Sequence, residues 1–260
     1  MSDRDFFPGV SRLPIGEGEL ARRIALASED YPDEERGKPH LLRFLGELDL
    51  LFEPVRRIGR RIDIPAARNP QTIIILPGFA TGPYRMRYMA RQLERAGHRT
   101  KRWGLGRNWG VAREAMEQLE TRLDEVYERY EEPVALLGWS LGGLYARELA
   151  KRRPESVSKV ITMGSPFSGS PRANNVWRVY QAIAGHRVDQ PPIETELAVK
   201  PPVETIALWS PKDGVVAAEC AAGAPGERDR AVALRCNHSG FTYTSESILA
   251  VLAELDREEA

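Results

Sequence analysis

Gly138-Trp139-Ser140-Leu141-Gly142 is the run whose residue types and spacing most directly imply chemistry. An apolar stretch, Pro133 to Leu137, precedes it with the character of a strand, and Leu141 to Arg153 follows with that of a helix closed by Pro154. A serine at so sharp a strand-to-helix turn is pushed into a strained backbone conformation above the sheet. Its neighbours two residues away must be small, and Gly138 and Gly142 meet that need, while Gly143 lets the helix approach the sheet. The helix N-terminus then puts amides and partial positive charge beneath the hydroxyl. A glycine-rich packing turn with an incidental serine would carry the same letters. The strand before it and the helix after it favour the nucleophile.

A serine hydroxyl is a weak nucleophile and needs a base oriented by an acid. Behind a nucleophile in this strand–turn–helix setting, the acid and then the histidine come later in the chain. His40 and His98 precede Ser140, and His98 in Ala96-Gly97-His98-Arg99 reads as a surface turn. His186 comes before the next strand. His238, in Asn237-His238-Ser239-Gly240-Phe241, lies just past the last expected strand and is the candidate base. The acid should follow the strand before that, and Ser210-Pro211-Lys212-Asp213-Gly214 places Asp213 there. A plain turn aspartate is the alternative at this position, and Asp189 is the reserve acid. The negative oxygen of a tetrahedral intermediate needs backbone donors. The amide of Leu141 is one candidate. The amide of Phe79, in Leu76-Pro77-Gly78-Phe79-Ala80-Thr81-Gly82, is the other.

These residues require a scaffold of alternating strands and helices, and from about residue 70 the sequence supplies one. Thr72 to Leu76 is β-branched and apolar on both faces, as a central parallel strand must be. Helices are expected at Pro83 to Ala96, Val111 to Tyr130 and Ser245 to Leu255. Further strands are expected at Thr100 to Trp103, Val157 to Met163, Val203 to Trp209 and Ala231 to Arg235. That alternation implies an α/β fold with a mostly parallel, doubly wound sheet. A block at about 165–202, rich in proline, interrupts it and reads as an insertion above the sheet, over the active site. Residues 66–260 then form the catalytic domain. Residues 1–65 form an N-terminal helical extension, packed on the core or acting as part of a lid. Its helix, about Pro39 to Arg61, is marked by Leu41, Leu45, Leu48, Phe52, Val55 and Ile58.

The chain has 260 residues, enough for one large domain. Its 37 basic and 37 acidic side chains cancel. Read as interleaved, they provide no field to attract nucleic acid or an anionic membrane. No apolar run approaches the ~20 residues that span a bilayer, and the N-terminus has no basic-then-apolar layout of a secretory signal, so a cytoplasmic location is expected. No Cys/His spacing suggests a metal, and no cofactor is expected. Cys220 and Cys236 would ride on the converging acid and histidine loops. A disulfide between them is conceivable there, although free thiols are the rule in a reducing compartment.

With these segments in hand, the chain from about residue 70 to 257 resembles the α/β-hydrolase superfamily, in its bacterial lipase and esterase branch. The resemblance is carried by Leu-Pro-Gly-Phe, Gly-Trp-Ser-Leu-Gly-Gly, Ser-Pro-Lys-Asp-Gly-Val-Val and Asn-His-Ser-Gly-Phe. Gly164-Ser165-Pro166-Phe167-Ser168-Gly169 adds to it, being similar to the Gly-Thr-Pro-His-x-Gly segment of bacterial lipases. The chain departs from the family pattern in two places: Pro77-Gly78 stands where many members have His-Gly, and Phe167 replaces the histidine of the last block. The resemblance implies acyl-enzyme chemistry on a small-molecule ester or acyl substrate with an apolar acyl part, with Ser140, Asp213 and His238 as triad. An acyltransferase would use the same triad, as would a peptidase or thioesterase. A non-catalytic binding module on this fold is the alternative from another class.

Overall fold

A computed structural model describes residues 17–28, 39 and 62–257. The helix expected over 39–61 lies outside the described residues apart from Pro39. After α1 (Glu17–Ala27) the order is β1 (Thr72–Leu76), a 3-10 turn (Pro83–Met86), α2 (Arg87–Ala96), β2 (Arg99–Arg102), α3 (Arg113–Tyr130) and β3 (Val134–Trp139). Then come α4 (Leu141–Arg152), β4 (Val157–Met163), α5 (Trp177–Ala184), β5 (Glu204–Trp209), α6 (Ala218–Ala222), β6 (Arg230–Ala233) and α7 (Ser245–Leu255).

The strands form one sheet in the order β2-β1-β3-β4-β5-β6, and every pairing is parallel. Each central strand is apolar at successive positions because the pleat sends neighbours to opposite faces and both faces are covered. Ile73 and Ile75 enter a core with α2 and α7, while Ile74 and Leu76 enter a second core with α3 and α4. Ile73, Ile74 and Leu76 are at most 1% exposed, and each such side chain contributes about 1.5–3 kcal/mol. The crossovers carry the switch from β1 to β3, so the C-terminal ends of these two strands open side by side. Both the Gly78 loop and the Ser140 turn leave the sheet there.

The 165–202 block is an insertion between β4 and β5 that contains α5. α1 packs on α5: the Gln181 side chain donates to Leu26 O (2.6 Å), Arg178 donates to Ala27 O (2.7 Å), and Arg22 donates to Gly185 O (2.8 Å). Arg147 of α4, fully buried, ties the far end of the insertion down. Its guanidinium donates to Leu197 O, Val199 O and Glu227 O and lies 4.1 Å over the Phe167 ring. Burial lowers its pKa to about 10, so it stays charged at neutral pH.

His98 departs from the expected surface turn. It is 4% exposed, and its Nδ1 accepts from the Gln71 amide at 3.2 Å. Gly97, with φ 107°, makes the turn, and the imidazole folds back beneath the start of β1. Desolvation lowers its pKa.

Candidate active site

Ser140 is the residue between β3 and α4, at φ 54° and ψ −123°. A non-glycine residue there carries about 1–3 kcal/mol of strain, which the surroundings must hold. Two backbone bonds do so: Ser140 N–H donates to Met163 O (2.8 Å), and Ser140 O accepts from Gly143 N–H (3.0 Å). The glycines are required by contact. A Cβ on Gly138 would lie 2.4 Å from Gly142 O, one on Gly142 would lie 2.2 Å from Leu76 O, and one on Gly143 would lie 2.0 Å from Ser165 Oγ.

Asp213 and His238 are brought together. His238 Nδ1 lies 2.8 Å from Asp213 Oδ2, and the two residues are 5% and 2% exposed. An ionised carboxylate only accepts, so Nδ1–H donates and Nε2 keeps the lone pair a base needs. The other carboxylate oxygen, Oδ1, accepts from the amides of Val215 (2.8 Å) and Val216 (2.9 Å), which fixes the carboxylate plane. Trp139 Nε1–H donates to His238 O at 3.1 Å, and the indole and imidazole centroids are 5.4 Å apart. Phe241 meets the imidazole edge-on at 6.4 Å. Gly164 connects this pair to the serine. A Cβ there would lie 3.0 Å from Asp213 Oδ2 and 3.1 Å from His238 Nδ1, while the preceding residue, Met163, holds the Ser140 amide.

Phe79 and Leu141 line one cavity with Ser140. Among the described residues, neither of their N–H groups donates to another protein atom. The loop carrying Phe79 is close to the serine, since a Cβ on Gly78 would lie 3.2 Å from Ser140 Cβ. Asn108, 1% exposed, clamps that loop. It donates from Nδ2 to Pro77 O (2.8 Å) and from its amide to Thr81 O (2.9 Å), and its carbonyl accepts from Ala80 N–H (2.6 Å). In the sequence Asn108 carries no signal beyond a lone amide side chain inside a glycine-rich loop.

The cavity has a volume of about 80 Å³, and eleven of its nineteen lining residues belong to 165–202. Leu144, Trp177, Tyr180 and Val188 make most of it apolar, and Phe79 packs on Tyr180 with ring centroids 5.0 Å apart. Glu148 and Thr195, which are hydrogen-bonded to each other, form a polar stretch of the wall, with Lys151 paired to the same carboxylate.

Other candidates are engaged elsewhere. Asp189 pairs with Arg172 at 2.8 Å and with Arg187 at 3.5 Å. His186 faces Val111 O and Arg187 O at 3.0 and 2.9 Å. Cys220 and Cys236 are free thiols, not a disulfide. Cys220 packs with Val215, Val216 and Ala217, whereas Cys236 packs in the α2–α7 core, so the two loops converge without aligning the sulfurs. Among the described residues there is no group of three potential metal ligands, and no helix is long and apolar enough to cross a membrane.

A family model described as the alpha/beta hydrolase fold matches residues 130–229, which include Ser140 and Asp213. Among solved structures, a lipase from Bacillus licheniformis in its mature form matches with a TM-score of 0.55 at 16% identity, over 77% of this chain and 97% of that one. A Listeria innocua gene product matches at 0.54 and 16% identity, over 74% and 96%. An alpha/beta hydrolase enzyme from the metagenome of Mar Chica lagoon sediments matches at 0.51 and 21% identity, over 72% and 90%. A search of curated proteins found no match. With six parallel strands, a strained serine at the β3–α4 turn and these likenesses, the chain has the α/β-hydrolase fold.

Proposed function

We propose that the protein is a serine hydrolase that cleaves carboxylic esters with an apolar acyl part. The observation that supports this most strongly is the Asp213–His238 pair at 2.8 Å, joined through Gly164 and Met163 to a strained Ser140. In this scheme Ser140 Oγ attacks the ester carbonyl carbon while His238 Nε2 takes its proton. Asp213 holds the imidazole in the required tautomer and stabilises the imidazolium that forms. The carbonyl oxygen becomes an oxyanion and is met by the Phe79 and Leu141 N–H groups. When the intermediate collapses, His238 returns the proton to the leaving alkoxide, and the acyl group remains on Ser140. Water, deprotonated by the same imidazole, then attacks the acyl carbon, and the imidazolium returns that proton to Ser140 Oγ as the Oγ–acyl bond breaks and the acid leaves. The apolar wall under the insertion supports an apolar acyl group, which gains about 0.8 kcal/mol per buried methylene.

A panel of p-nitrophenyl esters of rising acyl length tests the proposal. The wild-type chain should turn over at least part of the panel, and Ser140→Ala should abolish turnover while keeping the melting profile. Absence of turnover across the panel, or retention of it in the alanine variant, would overturn the assignment.

A further inference from the structure

Charges sum to zero over the chain, yet they are not interleaved throughout as the totals suggested. Between Asp63 and Glu114 there is a single acid, Glu94, against ten arginines and lysines. Three of the arginines, Arg87, Arg91 and Arg95, stand four residues apart on α2 and are exposed. Residues at this spacing share one helix face about 6 Å apart along the axis. Like charges so placed weaken a helix, so the fold has no use for them. Among the described residues none of the three has an ion pair, and Glu94 is hydrogen-bonded to Thr100. Arg95 donates only to the neutral Gln92.

The N-terminal end of this stripe meets two exposed aromatic residues. Tyr84, in the 3-10 turn just before α2, is 66% exposed, and Trp109, in the loop after β2, is 49% exposed. Their loops touch, since a Cβ on Gly82 would lie 3.3 Å from the Tyr84 ring and 3.8 Å from Gly106 O. Both lie in loops that follow the C-terminal ends of β1 and β2, the end of the sheet at which Ser140 stands.

We infer that this face docks on an anionic lipid surface. Arg87, Arg91 and Arg95 lie against headgroup phosphates, and Tyr84 and Trp109 sit at headgroup depth. Clustered cations attract an anionic leaflet, and amphipathic aromatic rings settle at its interface. Nucleic acid fits less well. The stripe lies on a convex helix rather than in a groove, and the Arg107 guanidinium, 5.1 Å from the Trp109 ring, already covers a face on which a base would stack. The inference does not depend on the ester chemistry.

Co-sedimentation of the full chain with vesicles of phosphatidylcholine, alone or mixed with phosphatidylglycerol, tests it. Binding is expected to the mixed vesicles only and should weaken with added salt. Each arginine near an anionic surface is worth about fivefold in affinity, so replacing all three (Arg87→Gln, Arg91→Gln, Arg95→Gln) should weaken binding roughly a hundredfold. The triple lysine variant should bind almost as wild type, and Trp109→Ala should bind less well. Melting profiles establish that each variant is folded. Equal binding to neutral vesicles, undiminished binding by the folded glutamine variant, or tighter binding to a DNA duplex than to the mixed vesicles would each overturn the inference.

Discussion

Gly142→Ala should disable the protein although alanine is the better helix former. In an open helix the exchange would gain about 1 kcal/mol. Here the new Cβ would lie 2.2 Å from Leu76 O, 2.7 Å from Leu76 C and 2.8 Å from Pro77 O. A carbon and a carbonyl oxygen normally approach no closer than about 3.3 Å, so the end of β1 and the start of α4 must separate by about 1 Å. Both sides are backbone, and no rotamer change relieves the clash. Such overpacking costs about 1–3 kcal/mol, enough to outweigh the propensity gain. The larger effect falls on rate. The displaced segments carry the Phe79 and Leu141 amides, and loss of one oxyanion donor lowers kcat about 10²–10³-fold. Binding made equally in ground and transition states is untouched, so KM should change little. Gly82→Ala is the control: its Cβ would come no closer than 3.3 Å to the Tyr84 ring and 3.8 Å to Gly106 O, and its φ is −114°. The assay is steady-state hydrolysis of a p-nitrophenyl ester beside thermal unfolding. A Gly142→Ala variant with wild-type kcat, or one no more impaired than Gly82→Ala, would show that the β1–α4 contact does not hold the two amides in place.

Asp213→Asn should keep one oxygen for the Val215 and Val216 amides but turn an NH₂ toward His238, which forces the hydrogen onto Nε2; a fall of about 10⁴ in kcat is expected, and a fall below tenfold in steady-state kinetics would remove Asp213 from the triad. From Ser140 to Glu148 the helix advances about 12 Å, so the Glu148–Thr195 pair would mark the far end of the proposed acyl slot. Replacing both (Glu148→Leu with Thr195→Val) should favour longer esters by roughly fourfold in kcat/KM per added methylene, and an unchanged chain-length profile would contradict that. Burial pushes the Cys220 thiol up to about 11 and the Cys236 thiol up to about 12. Both stay protonated at pH 8, where thiol titration should find neither in the native chain and two after denaturation; rapid native labelling would speak against their burial.

The serine turn was legible in the sequence because its constraints are local: glycines at fixed offsets, a strand before and a helix after. Asp213 and His238 were legible from chain order alone, since each follows the end of a strand on the same edge of the sheet. What stayed hidden depends on contacts between distant segments. Asn108 reaches Pro77 across 31 positions, and Arg147 reaches the insertion 50 positions on, with nothing in either neighbourhood to announce a partner. His98 looked exposed beside a turn glycine, whereas the pairing of β1 with β2 buries it. The departure at Phe167 found its reason only in three dimensions, where the ring supports the Arg147 guanidinium. Whole-chain charge totals likewise concealed the arginine stripe of α2.

We propose Ser140 as a nucleophile activated by His238 and Asp213. Incubation with an alkyl fluorophosphonate, followed by mass spectrometry of the intact chain and its peptides, tests it without knowledge of the natural ester. One adduct, on Ser140, is predicted, with labelling slowed at least a thousandfold in folded His238→Ala. No adduct, an adduct on another residue, or undiminished labelling of the histidine variant would contradict the account.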